Sequence, residues 1–89
     1  MKLKDGIIIT KAGDDYVAVD AGTHGQRFNG MLKLNETAAF IVQQLQKETS
    51  LESIIDALCG QYSIDRVTAA DHIQAVLQQL ASVSLIEND

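Results

Sequence analysis

The chain has 89 residues, of which 46% are hydrophobic, with one cysteine and no proline. A chain this short supports a single domain, 1–89, that buries only about 60–65% of its unfolded surface, and a lone cysteine excludes a disulfide-stapled secreted fold. Seven basic and twelve acidic residues give a net charge of −5, and the basic ones are scattered rather than clustered against phosphates, which argues against nucleic acid as a partner.

The first third reads as strands. Ile7-Ile8-Ile9-Thr10 is β-branched throughout and favours an extended backbone. Behind Lys2 and Lys4 this run is too short for a secretory signal, and no apolar run approaches the roughly 20 residues of a membrane span. A cytoplasmic protein without membrane contact is therefore expected. Ala12-Gly13-Asp14-Asp15 supplies turn chemistry. Tyr16–Asp20 then alternates, with Val17 and Val19 on one side and Tyr16 and Asp20 on the other. That is a half-buried strand, hairpinned to the first. A small, polar loop runs from Ala21 to Gln26. Leu32 and Leu34 share a face opposite Met31 and Lys33, which predicts a third strand over 31–34, reaching back toward Phe28.

Three helices follow. Asn35 is a good N-cap and Glu36 suits the positive helix end, so helix one spans about Glu36 to Lys47 on the stripe Ala38, Ile41, Val42 and Leu45. Thr49 and Glu52 have capping-box spacing ahead of helix two, Ser50 to about Gln61, whose stripe is Leu51, Ile54, Ile55, Leu58 and Tyr62. Gly60 is expected to loosen its last turn. Asp65 caps helix three, which buries Val67, Ala70, Ile73, Val76, Leu77 and Leu80 and ends near Ser82. The tail Val83-Ser84-Leu85-Ile86 packs back on the core. The expected fold class is α+β: a three-stranded antiparallel sheet followed by three helices, β-β-β-α-α-α, in a winged-helix-like arrangement. Helices cover one sheet face and a strand edge stays free.

No catalytic constellation emerges. Cys59 adjoins the apolar stripe of helix two and is read as a buried structural thiol without a base. His24 sits in a loop, and Asp71 and His72 are neighbours that diverge by about 100° on a helix. Zinc spacings, a calcium loop and a phosphate loop are all missing from the sequence. The expectation is a protein that is not an enzyme and uses no cofactor or metal. What remains is a binding surface, because an open strand edge is a template for another chain.

Two stretches resemble a known family. Asn29-Gly30-Met31-Leu32-Lys33-Leu34-Asn35-Glu36-Thr37-Ala38 is similar to the strand followed by Leu-Asn-Glu-Thr-Ala of PqqD-like proteins. Tyr62-Ser63-Ile64-Asp65, the helix carrying Asp71 and Ile73, and the run from Leu80 to Leu85-Ile86 resemble that family's Tyr-x-Val-Asp and Gly-Leu-Leu finish, with Ser84 where glycine is common. The resemblance spans Leu3 to Ile86. It implies a peptide-recognition element for ribosomally made, modified peptides. Such a domain binds the leader segment of a precursor as an extra strand between the third strand and third helix, and presents it to a modifying enzyme such as a radical-SAM maturase. It implies no catalytic residues.

Within that groove the strand candidates are Phe28, Met31 and Lys33, and periodicity selects Asp71, Gln74, Ala75 and Gln78 on helix three. The alternative function is a winged-helix nucleic-acid-binding or regulatory protein, which the acidic and neutral outer positions of helix three disfavour. A free edge also permits a strand-paired homodimer.

Overall fold

The computed structural model describes residues 1–20, 31–83 and 85–87. In chain order its elements are β1 (Lys2–Leu3), β2 (Ile7–Ala12), β3 (Asp15–Asp20), β4 (Met31–Leu34), α1 (Glu36–Gln44), α2 (Leu51–Gln61), α3 (Arg66–Ser82) and β5 (Ile86–Glu87). The fold is α+β, with an antiparallel sheet ordered β2-β3-β4 followed by the helices. A second, two-stranded sheet pairs β1 with β5. These two strands are not expected from sequence, because two residues carry no periodicity to read.

The hairpin turns on Gly13-Asp14, and Gly13 takes φ +67°, which glycine adopts without a Cβ clash. Its register carries β2 two residues beyond the expected Thr10, pairing Lys11 with Tyr16 and Ala12 with Asp15. One face of the sheet holds Ile9, Ala18 and Leu32 in a cross-strand row, with Tyr16 beside Leu34. This face belongs to the core: Ala18 and Leu34 are buried, and Ile9, Tyr16 and Leu32 pack against them. The strand alternation is as expected, but the small Ala18, rather than the bulkier Val17 and Val19, faces the helices. The opposite face carries Ile8 and Lys33, both well exposed. Val17 is nevertheless buried there, because it stands on the central strand between Thr10 and Lys33.

Each helix begins on a side-chain cap. Asn35 Oδ1 accepts from the Ala38 N–H at 2.8 Å. α1 stops at Gln44, short of the expected Lys47, since the Leu45 and Gln46 N–H groups bond to carbonyls three residues back, at 3.0 and 3.2 Å. The Leu45 carbonyl instead accepts from the Leu3 N–H at 2.8 Å, so β1 docks onto the helix end. The expected Thr49–Glu52 box does not form. Ser50 is the cap, accepting from the Ser53 N–H at 3.2 Å, while the Thr49 N–H donates to the Met1 carbonyl at 3.1 Å. On α3, Asp65 Oδ1 accepts from the Thr68 N–H at 2.7 Å. That helix buries Ala69, Ile73, Val76 and Leu80. Val67, expected inside, is 73% exposed, since at 100° per residue it lies about 150° from the mean direction of those four. The tail does pack back, with Leu85 and Ile86 both buried.

α2 runs through Gly60 without loosening, and the Tyr62 N–H reaches the Leu58 carbonyl at 2.9 Å. A Cβ at Gly60 would meet nothing within 4 Å. Gly60→Ala is therefore expected to stabilise the domain by about 0.5–1 kcal/mol, read as a higher urea midpoint. A lower midpoint would show that the glycine serves a role other than helix propagation.

The Thr68 N–H holds the Asp65 carboxyl below its ordinary value of 3.8. A carboxylate lowered in the folded state stabilises above the unfolded value and loses that contribution as pH falls through the folded one. Asp65→Ala is thus expected to melt below the parent near neutrality, and the two melting temperatures should converge in strong acid. A gap independent of pH would assign the loss to something other than the charged cap.

Candidate functional site

Backbone polar groups in a sheet are satisfied by neighbouring strands, and an outer strand leaves one row unpaired. β4 hydrogen-bonds to β3 on one side and to no other strand among the described residues. Its four residues are anchored from within: Leu34 is buried at 2% exposure and Leu32 is half-buried. Lys33 points away from the core and is exposed, with its Nζ 3.3 Å from Asp15 Oδ2. Such an exposed pair contributes little to stability and is screened by salt. β2 forms the other edge of the sheet, also paired only to β3 among the described residues.

The sequence-derived candidates fall as follows. Met31 opens β4, and Lys33 lies within it. Phe28 lies outside the described residues. Asp71, Gln74, Ala75 and Gln78 are all exposed on α3. Helical geometry turns them at least about 130° from the mean direction of the buried Ala69, Ile73, Val76 and Leu80. Between these sets lie Ala70 and Leu77, half-buried and packed against the core. Side chains at such a margin are the ones that can contact both the core and a strand laid beside it. Ala70 and Leu77 belong to the apolar stripe in sequence, and only their partial exposure distinguishes them from core.

Other chemistry is sparse. Cys59 is half-buried against the core rather than buried, and His72 is exposed. Among the described residues no group of three or more His, Cys, Asp or Glu side chains could hold a metal ion. No helix there is long and apolar enough to cross a membrane. The principal charged feature joins α2 to α3: the Arg66 guanidinium donates to Asp56 Oδ1 at 2.7 Å and to Glu52 Oε2 at 2.6 Å. Asp56 beside it raises the already high pKa of the guanidinium, so its charge is fixed. α2 and α3 share the broadest helix–helix contact among the described elements, and the fork ties the start of α3 to α2.

A family model described as coenzyme PQQ synthesis protein D (PqqD) matches residues 15–86. Among solved structures, TbiB1 in complex with the TbiA(beta) leader peptide is 27% identical, with a TM-score of 0.74 over 100% of this chain and 98% of its own. Lasso peptide synthetase B1 complexed with the leader peptide is 24% identical, with a TM-score of 0.71 over 98% of this chain and 96% of its own. Comparison with curated proteins gives no match.

Proposed function

The chain belongs to the PqqD family, and from that premise we propose that it is a non-catalytic adaptor that binds the leader segment of a ribosomally made precursor peptide. The leader adds as a strand to the open side of β4 and lies between β4 and α3. The observation that carries this reading is the side of β4 left unpaired by the described strands, in a chain that shares its length and fold with TbiB1, a protein solved with a leader peptide. Backbone hydrogen bonds supply affinity, and side chains beside the strand supply selectivity. On β4 these include Met31 and Lys33. On α3 the half-buried Ala70 and Leu77 form the apolar wall, with Gln74 nearest to them, Gln78 and Asp71 further out on the rim, and Ala75 on the opposite flank of the helix. The bound leader places the rest of the precursor before a modifying enzyme, such as a radical-SAM maturase, and a strand-paired homodimer would compete for the same edge.

Duplex DNA is a poor alternative. Arg66 is the one Lys or Arg on α3, and it is engaged by Glu52 and Asp56. An α3 face of Asp71, Gln74 and Gln78 offers nothing for phosphate neutralisation.

The test is an NMR titration of the isotope-labelled chain with the leader of the precursor peptide encoded beside its gene. The expected result is saturable shifts of the β4 amides and of α3 from Ala70 to Gln78. Shifts confined to β2 would move the site to the other edge, and no saturable shifts would remove the adaptor reading.

A further inference from the structure

Three aromatic side chains meet at the Leu34 end of the sheet, where Tyr16 is the register partner of Leu34. Phe40 and Tyr62 meet edge to face, with ring centroids 5.8 Å apart and an 87° angle between planes. Together with Tyr16 they line an open cavity of about 170 Å³, which Glu36 also borders. No lining residue is a lysine or arginine, and none belongs to β4 or α3. The Tyr62 hydroxyl donates to Glu36 Oε2 at 3.0 Å and holds the carboxylate beside the rings. Burial first, and then this bond, raise the phenol above its ordinary value of 10.0, so Tyr62 remains a donor.

Most of the acidic side chains around Glu36's helix and sheet are paired. Glu52 and Asp56 share Arg66, Asp15 faces Lys33, and Glu48 takes the amino group of Met1. Glu36 has no ion-pair partner among the described residues. Among the described residues it is thus a carboxylate without a counter-charge, and it borders the same cavity as aromatic rings whose faces also attract cations.

We propose that this cavity receives an arginine side chain from the protein to which the leader is presented. A guanidinium stacks on aromatic faces and bonds a carboxylate with the same planar group. The identity of the partner rests on the adaptor reading; the chemistry of the cavity does not. Tyr16 belongs to the central strand, one strand removed from the open edge, and the cavity shares no residue with β4 or α3. The arginine site therefore has a lining separate from the β4 edge, and simultaneous binding of leader and arginine is the expected result.

The test uses the full chain, isotope-labelled, titrated with acetyl-Gly-Arg-Gly-amide and with its citrulline counterpart, which keeps the shape but lacks the charge. The arginine peptide is expected to shift the Phe40 and Tyr62 ring resonances saturably, with the citrulline peptide about tenfold weaker or more. Glu36→Gln keeps an acceptor for the Tyr62 hydroxyl but removes the charge, and is expected to weaken the arginine response by a similar factor. Phe40→Leu keeps an apolar side chain, removes the ring face, and should weaken it independently. Equal responses to the two peptides, no saturation, or an unchanged response in both variants would overturn the proposal. Leader titrations of parent and Glu36→Gln complete the test. Equal leader affinities support two separate surfaces, whereas a loss confined to the variant would place the cavity within the leader site and overturn the partner assignment. A parent that binds the arginine peptide but no leader would overturn the adaptor reading alone.

Discussion

Proline in place of Met31 is expected to weaken leader binding by about tenfold in a protein that remains folded. Along β4, successive N–H groups point alternately toward β3 and toward the open side. Proline removes one donor and fixes φ near −65°, away from the extended values of a ladder. The Leu32 and Leu34 side chains that hold the strand to the core are untouched. Calorimetric titration with the leader measures the loss, and circular dichroism verifies the fold. If the Met31 N–H is one that pairs with Val19, the substitution breaks the β3–β4 ladder and the spectrum reports it; proline at Leu32 then addresses the open side. A folded Met31→Pro protein with parental affinity would move the peptide away from this strand. Lys33→Glu leaves the backbone alone. It replaces an attraction to Asp15 at 3.3 Å by a repulsion, so its effect follows the leader's charge and shrinks with added salt.

Leu34→Ala, one position from Lys33, is expected to fail in a different way. Leu34 is 2% exposed and lies at the point where β4 meets the helical core. Truncating a buried leucine leaves a cavity and costs about 2–5 kcal/mol, against a total stability of about 5–15 kcal/mol for a typical domain. The urea midpoint should fall sharply, whereas for Met31→Pro in a folded protein the affinity falls first. An unchanged midpoint would mean that the sheet edge is held by something other than Leu34.

Much of this architecture is legible in the sequence because it is local. Asn35 and Asp65 cap their helices, and Ile54, Ile55 and Leu58 are buried at the spacing of an amphipathic helix. The β4 range is legible from alternation alone. The departures occur where near-equivalent choices compete. Thr49 and Ser50 can both cap, and the bond from the Thr49 N–H to the Met1 carbonyl, a long-range contact, selects Ser50. Val67 looks more like core than Ala69, yet helix orientation buries the alanine. Val17 and Val19 outweigh Tyr16 and Ala18 in hydrophobicity, yet the latter pair faces the core. The selection of Ala70 and Leu77 as the proposed wall depends on their partial exposure, which pattern does not encode. The aromatic cavity depends on Tyr16, Glu36, Phe40 and Tyr62 meeting from three elements. The two stretches that carry the family resemblance touch there, through the Tyr62–Glu36 bond, although neither indicates a cavity by itself.

The β1–β5 pairing bears on how such a domain can be used as a module. Lys2 faces Glu87 and Leu3 faces Ile86 across one ladder, so the backbone enters and leaves the domain at points about 5 Å apart. The Lys4 N–H, bonded to the Leu85 carbonyl at 2.9 Å, continues that closure inward. A unit whose ends adjoin can be spliced into a surface loop of a larger polypeptide without prying open its sheet or its helices. Carried in that way, the open side of β4 would travel with its host enzyme as a single covalent body, and peptide capture would be set by tether geometry in place of diffusion between separate molecules.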